Sequence, residues 1–485
     1  MDMKVEVVSR ETIKPSCPTP HYHRTFNLSF LDQISPSLYT PYIFFYNNNN
    51  SNNNDNHIMA SSSSRRRDIV IKKSLAETLT RFYPLAGRIK DADSLIVDCN
   101  DDGVDYLEAR VNNCALSQVI QHPDVRELEM KFLPFDPYFD DVSEISNKSS
   151  SGFNSKALLA VQVNIFEEEY CGGMAIGVCM SHKIADALSL FTFINQWAAT
   201  AREATEQIKS PFFGLSYLFP APRYDLMGFI QSPPIMKEEI VTKRFVFGAS
   251  KIADLQKQIN RIISTKSNDG GGSKDHDHEY NKPTSVEVVS AFIWRCFMDV
   301  NRAKKELGTA AAKFCAASQS VNMRNRMVPP LPKTCFGNMV GFTVALSTFC
   351  STNGEAEKIN QYPYLVSKLR ESINKIDDVH IREMQTTNAF FNSMKLITES
   401  IISGETVLIH ISSFCRFPVY EANFGWGKPI FASPCKLAIK NLVYLMDTGS
   451  GDGIEAWVSL TKEDMAEFEH DKELLAFVSV GRSNL

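Results

Sequence analysis

What this chain lacks narrows the field first. No apolar stretch approaches the roughly 18 residues that a membrane-spanning helix needs, so no membrane association is expected. Met1 to Lys14 mixes polar and charged residues without an apolar run, so no secretory leader is expected either. The 11 cysteines are odd in number, widely scattered and never spaced CxxC, which argues against a zinc knuckle and against a disulfide framework. Reduced thiols in a cytoplasmic protein are the simpler expectation. Neither sign of charge dominates. A net charge of −5 gives no global reason to expect nucleic acid or an acidic membrane as partner. No Ser or Cys occupies the strained strand-to-helix elbow of a covalent nucleophile, and no short-period repeat is present. His276 and His278 form an Asp-His-Asp-His run in a Gly/Ser/Asp segment, but no further ligand cluster accompanies them, so no metal is expected.

What remains is an ordinary globular composition, 44% hydrophobic and 22% charged, over 485 residues, too long for a single core. Val5–Val8 and Tyr39–Tyr46 read as strands, with Leu28–Gln33 between them leading into a Pro/Ser turn. Asn47–Arg67 is low in complexity and reads as a solvated loop. An amphipathic helix is expected over Asp68–Phe82, stopped by Pro84 and Gly87. Leu95–Cys99 and Val104–Ala109 read as a hairpin across Asn100–Gly103. Asp140–Ser155 reads as a second polar loop. Ser210–Pro234, with five prolines, is the main domain boundary. Beyond it, Lys243–Phe247 reads as a strand and Ala249–Ile263 as a helix. Pro283 to Glu287 opens a long helix to about Lys305, with Pro and Ser/Thr where a helix N-terminus wants them. Ala316–Val321, Phe342–Leu346, Leu442–Met446 and Ile454–Leu460 read as strands, and Tyr364–Asn392 and Lys462–Phe468 as helices. The two halves share an order of elements without sharing sequence.

One stretch carries chemistry. Met174 to Met180 is an apolar run with Gly172 and Gly173 at its mouth, which predicts a buried strand. From Asp186 the period changes. Leu188, Phe191, Ile194 and Trp197 recur at helical spacing. His182 therefore stands where a strand gives way to a helix, and Leu158–Phe166 is the natural partner strand. An imidazole there stays neutral near pH 7 and is able to take a proton from a hydroxyl.

His182-Lys183-Ile184-Ala185-Asp186, together with Asn423-Phe424-Gly425-Trp426-Gly427, resembles the HxxxD and DFGWG signatures of the plant BAHD acyltransferases. Leu28–Gln33, Phe82–Arg88, Asn322–Pro332 and Phe336-Gly337-Asn338 match in the same order, so the resemblance covers nearly the whole chain outside the polar loops. Ser181–Ser189 and Cys415–Ala422 are most similar to the branch of that family that acetylates alkaloids.

The resemblance implies an α/β fold of two similar, chloramphenicol-acetyltransferase-like domains with mixed sheets and a channel at their interface. It places them at residues 1–209 and 235–485, joined by the 210–234 linker, with a piece at about 427–442 crossing back to the first. It implies acyl transfer from acyl-CoA, by default acetyl-CoA, to an alcohol or amine. No bound cofactor is implied, and the enzyme is expected to act as a monomer. His182 is the implied general base. Asp186 is expected to turn away and pair with an arginine, with Arg302 or Arg295 as partners. Thr40 and Trp426 are the candidates near the acyl oxygen. Ser285 and Lys251, with Lys257 and Arg261 beside it, are the candidates for CoA. Asn423, Gly425 and Gly427 are structural, and Asn423 departs from the aspartate of the family motif. An acceptor hydroxyl on an alkaloid or terpenoid is the leading expectation. N-acylation of an amine, a silent metabolite-binding relative and thioester hydrolysis are the alternatives.

Overall fold

The structure, a computed structural model, describes residues 3–48, 58–90, 96–121, 123–138, 157–167, 172–220, 238–269, 282–306, 312–349, 355–385, 395, 398–436 and 439–480. Two mixed sheets dominate. The first has six strands in the spatial order Lys4–Ile13, Val104–Asn112, Leu159–Phe166, Met174–Ser181, Tyr39–Tyr46 and Phe431–Pro434. The second has seven, in the order Val340–Thr348, Phe314–Asn322, Thr406–Ser413, Leu442–Asp447, Ile454–Thr461, Ile240–Phe247 and Ser479–Val480. Each sheet mixes parallel and antiparallel neighbours.

The strand leading to His182 lies inside the first sheet, flanked by Leu159–Phe166 and Tyr39–Tyr46, and all eight of its residues are buried. That position explains its unbroken apolar run, because a central strand has no solvent face to mark with polar residues. The helix Ala187–Ala201 follows at once. Its buried side, Leu190, Phe191, Ile194, Trp197 and Ala198, joins Ile71, Leu75 and Leu79 of the helix Ile58–Arg81 in the core of this sheet. A second core gathers around the helix Ser285–Glu306, whose Phe292, Trp294 and Phe297 are fully buried. A third, smaller cluster joins the halves. Phe30 and Leu31 from the start of the chain meet Leu215, Phe219, Met323, Met327 and Met339.

Phe431–Pro434 comes from late in the chain yet pairs antiparallel with Tyr39–Tyr46 of the first sheet. The buried Arg244, held by Glu455 at 2.6 and 2.9 Å within the second sheet, lies 5.3 Å from the Phe431 ring. A charge paired inside one sheet therefore packs on the edge strand of the other.

Four sequence expectations need correction. The helix that was expected from Asp68 begins at Ile58, so the Ser/Arg-rich stretch continues a helix nucleated by the buried face downstream. Leu95–Cys99 and Val104–Ala109 do not pair with each other. Ile96–Asp98 joins Thr25–Asn27 and Arg88–Ile89 in a small three-stranded sheet, while Val104–Asn112 pairs with Lys4–Ile13 and Leu159–Phe166. The Asp101 carboxylate between them accepts from the backbone N–H and hydroxyl of Thr19 at 2.9 and 2.5 Å, a tie that turns the chain from one sheet to the other. The Ala249 helix runs on to Asp269. The Tyr364–Asn392 periodicity divides into helices Glu355–Asn374 and Asp378–Met384, because Asp377 caps the second by accepting from the His380 N–H at 2.8 Å. The 140–155 loop, the 221–234 part of the linker, His276, His278 and residues 386–392 lie outside the described residues.

Gly177 lies on the strand that ends at His182, and a Cβ there would sit 2.1 Å from the Phe132 carbonyl oxygen. Gly177→Ala is therefore expected to lower the unfolding free energy by about 1–3 kcal/mol, the usual penalty of overpacking. Urea denaturation reads this directly, and an unchanged midpoint contradicts the packing described.

Candidate active site

His182 leaves the end of its strand in a turn clamped from both sides. Its backbone N–H donates to the Leu38 carbonyl at 2.8 Å, and its carbonyl accepts from Asn338 Nδ2 at 2.7 Å. Asn338 is fixed in turn by Asp32, whose Oδ1 accepts from the Asn338 backbone N–H at 2.8 Å and side-chain N–H at 2.9 Å. The other Asp32 oxygen closes a capping box with Ser29 at the short helix Phe30–Ile34. Burial pushes the Asp32 carboxyl up to about 6 against these hydrogen bonds.

Four residues on, Asp186 caps the helix Ala187–Ala201 by accepting from the Ser189 N–H at 2.9 Å. Its two oxygens grip Arg324, at 2.7 Å from Nη1 and 3.1 Å from Nη2, and Met339 N–H adds a bond of 3.0 Å. Burial alone would raise this carboxyl. The Arg324 charge and the hydrogen bonds outweigh it and hold the group below the usual aspartate range. Arg324 is itself buried, with Nε on the Cys335 carbonyl at 2.9 Å and Nη2 on the Gly337 carbonyl at 2.9 Å and Ser189 Oγ at 3.0 Å. Asp186 thus turns away from His182, as expected, but its partner is Arg324. Arg295 and Arg302 belong elsewhere. Both bind Asp299 on their own helix, at 2.7 and 2.8 Å, and Arg295 also reaches Glu473 at 2.6 Å.

A cavity of about 380 Å³ opens between the two sheets. His182, Thr40, Tyr39 and Tyr138 line it from one side, and Ser320, Phe342, His410, Ser412 and Tyr444 from the other. His182 Nδ1 is buried and has no hydrogen-bond partner among the described residues. Burial pulls the imidazole below its ordinary value, so it is neutral at pH 7. Thr40 sits one strand over, paired with Met180, and its buried hydroxyl likewise has no partner among the described residues.

The other sequence candidates fall outside this lining. Trp426 stacks on Phe424 at 5.8 Å under the Arg67 guanidinium, and Phe424 is anchored on Trp197, so the indole is held along the flank of the helix rather than at His182. Ser285 is in the first turn of its helix, behind the reciprocal Thr284–Glu287 bonds at 2.8 and 3.2 Å. The Lys251 ammonium lies 5.8 Å from the Phe477 ring and Lys257 faces Asp254 at 3.5 Å. Asn423 Oδ1 accepts from the N–H groups of Gly425 at 2.8 Å and Gly427 at 3.1 Å, two residues with φ of +111° and +112°. An amide oxygen does here what a carboxylate oxygen would, so the departure from aspartate leaves the turn intact.

Sequence reasoning quoted Asp32, Arg324 and Asn338 inside motifs without giving them these roles, and missed His410 altogether. The signal for His410 was its spacing two residues before Ser412 on one strand, matched by Ser318 and Ser320 on the neighbouring strand.

Removing one partner of a buried ion pair strands the other. Arg324→Met is expected to cost about 3–5 kcal/mol of stability at pH 7. Because the Asp186 carboxyl is depressed in the fold, the pair contributes fully above the ordinary aspartate range and fades only as pH falls through the lowered value. Denaturation at pH 7 tests this, and a loss under about 1 kcal/mol contradicts a buried, coupled pair.

Comparison with known proteins places this geometry. The model of the Transferase family matches residues 3–475. The chain is 38% identical to stemmadenine O-acetyltransferase of Catharanthus roseus, over 97% of each protein. It is 35% identical to limonoid 1-O-acetyltransferase of Citrus sinensis, over 99% of this chain and 100% of that one. The crystal structure of vinorine synthase superposes with a TM-score of 0.77 at 36% identity, covering 99% of both chains. The chain belongs to the Transferase family, the BAHD acyl-CoA-dependent acyltransferases.

Proposed function

We propose that this enzyme moves an acetyl group from acetyl-CoA to a hydroxyl of a polycyclic specialised metabolite, with His182 as general base. The observation that carries the reading is the placement of His182, a buried imidazole held neutral, on a rigid turn that lines a cavity between two sheets. Relatives named as O-acetyltransferases of stemmadenine and of limonoids favour acetyl as the acyl group and a hydroxyl over an amine.

The chemistry then follows. A hydroxyl at neutral pH is a weak nucleophile. His182 takes its proton as the oxygen attacks the thioester carbonyl carbon, and the C=O electron pair moves onto oxygen. The Thr40 hydroxyl is the donor we assign to that oxyanion, since it lines the same cavity and has no partner among the described residues. Collapse breaks the C–S bond, and the imidazolium returns the proton to the departing CoA thiolate. The ester and free CoA are the products. The acceptor oxygen attacks the thioester directly, with no acyl-enzyme, since no Ser or Cys stands in a strained nucleophile elbow in the sequence.

General-base assistance is worth roughly 10²–10⁴-fold. His182→Ala is therefore expected to lower turnover of labelled acetyl-CoA with a panel of polycyclic alcohols by at least about 100-fold, with an unchanged melting temperature. Retention of more than about a tenth of the wild-type rate contradicts the assignment. Thr40→Val, which keeps the shape and removes the hydroxyl, is expected to lower kcat by about 10-fold or more without a matching rise in KM.

A further inference from the structure

The second sheet presents a patterned floor to the cavity. Alternation along four adjacent strands brings Val340 and Phe342, Ser320 and Asn322, His410 and Ser412, and Leu442 and Tyr444 to the lining. The register sets Ser320 opposite Phe342, Ser318 opposite His410 and Ser412 opposite Tyr444. A stripe of hydroxyls and one imidazole therefore runs between an aliphatic-aromatic strand on each side.

The stripe is wired together. His410 Nδ1 lies 3.1 Å from Ser318 Oγ, and Nε2 lies 2.9 Å from Ser320 Oγ and 3.2 Å from Ser412 Oγ. Ser412 donates to Ser320 Oγ at 2.8 Å. Burial pulls the imidazole down to about 4, so it carries no charge near neutrality.

A neutral imidazole donates from one nitrogen and accepts at the other. When Nε2 carries the proton, the ring donates to the serine pair and Ser318 donates to Nδ1. The Ser412 proton is committed to Ser320, so the Ser320 O–H is left over as a donor. When Nδ1 carries the proton, the ring donates to Ser318 and Ser320 donates to Nε2. The serine pair then offers lone pairs only. One array therefore serves a ligand carbonyl in one tautomer and a ligand hydroxyl in the other, at no change of charge.

We propose that Ser320, His410 and Ser412 form a second recognition point for the acceptor. They bind a neutral carbonyl or hydroxyl oxygen remote from the hydroxyl that reacts, and so fix which hydroxyl reaches His182. This rests on the acetyl-transfer reading above. The lining argues for a neutral oxygen at this point. Among its described residues the only charged side chains are Asp186 and Arg324, which hold each other, leaving nothing to balance a carboxylate or an ammonium. A volume of about 380 Å³ walled by Tyr39, Tyr138, Phe342, Phe414 and Tyr444 suits a rigid, mainly hydrocarbon skeleton with oxygens at its two ends.

The test uses labelled acetyl-CoA and matched pairs of polycyclic alcohols, each pair sharing a ring skeleton and differing in one remote ketone. The wild-type enzyme is expected to favour the ketone-bearing member by about tenfold in kcat/KM, the worth of one neutral hydrogen bond in a cavity. In Ser320→Ala/Ser412→Ala the preference is expected to fall below about threefold, through KM more than kcat. If the double variant melts early, Ser320→Ala alone carries the same comparison, and Ser320→Thr is expected to restore the preference. Equal use of both members by the wild-type enzyme, or a preference that survives in the variants, overturns this inference and leaves acetyl transfer standing. Acetylation of no pair member overturns the transfer reading, and this one with it.

Discussion

A carboxylate and a guanidinium, both removed from water, hold the reacting centre in place. Asp186 stands at the start of the helix that follows His182, and Arg324 follows the strand Phe314–Asn322 of the other sheet. Neither is tolerable without the other at that depth, so the turn that bears the imidazole has one position relative to the second sheet. The pair's further hydrogen bonds are made to backbone atoms of Cys335, Gly337 and Met339, on and on either side of the Phe336-Gly337-Asn338 turn, which fixes Asn338 where it grips the His182 carbonyl. Three separated motifs thereby act as one frame. Their job is rigidity, and the imidazole they frame lines the cavity. This division separates the residues that position from the residue we assign to proton transfer, and it explains why an aspartate four residues from a histidine is not its catalytic partner.

Much of this was legible beforehand, for a physical reason. The buried strand before His182, its change of period at Asp186 and the long helix from Ser285 all follow local rules of periodicity and capping, and the structure shows all three. What failed was non-local. The spacing of Arg295 and Arg302 suits a partner for Asp186, but pairing is decided by which strand end the fold delivers, and that is Arg324. Ile96–Asp98 and Val104–Asn112 look like a hairpin until two different sheets compete for them. The resemblance implied a place for Trp426 near the acyl oxygen, yet the structure gives it a stacking partner and a cation, outside the residues that line the cavity.

The cavity joins two kinds of wall. The first sheet brings the imidazole and the Thr40 hydroxyl. The second brings a floor on which uncharged polar groups are bordered by rings and aliphatics. Such a surface discriminates by shape and by the position of hydrogen-bonding oxygens, which suits acceptors that differ in decoration rather than in charge. The charged side chains among the described lining residues, Asp186 and Arg324, hold each other, and the upward pull of the Asp186 carboxylate on the imidazole is outweighed by burial, which keeps it below its ordinary value.

The pH dependence of kcat/KM for acetyl transfer tests the central claim most directly. A base must be neutral to act, and burial favours the neutral form, so the acidic limb belongs below the ordinary imidazole value of about 6.5. The account predicts a single ionisation with its midpoint under that value and a plateau through pH 7 to 8. A flat profile, or a midpoint at or above the ordinary value, contradicts a buried neutral His182 as the group that receives the acceptor's proton.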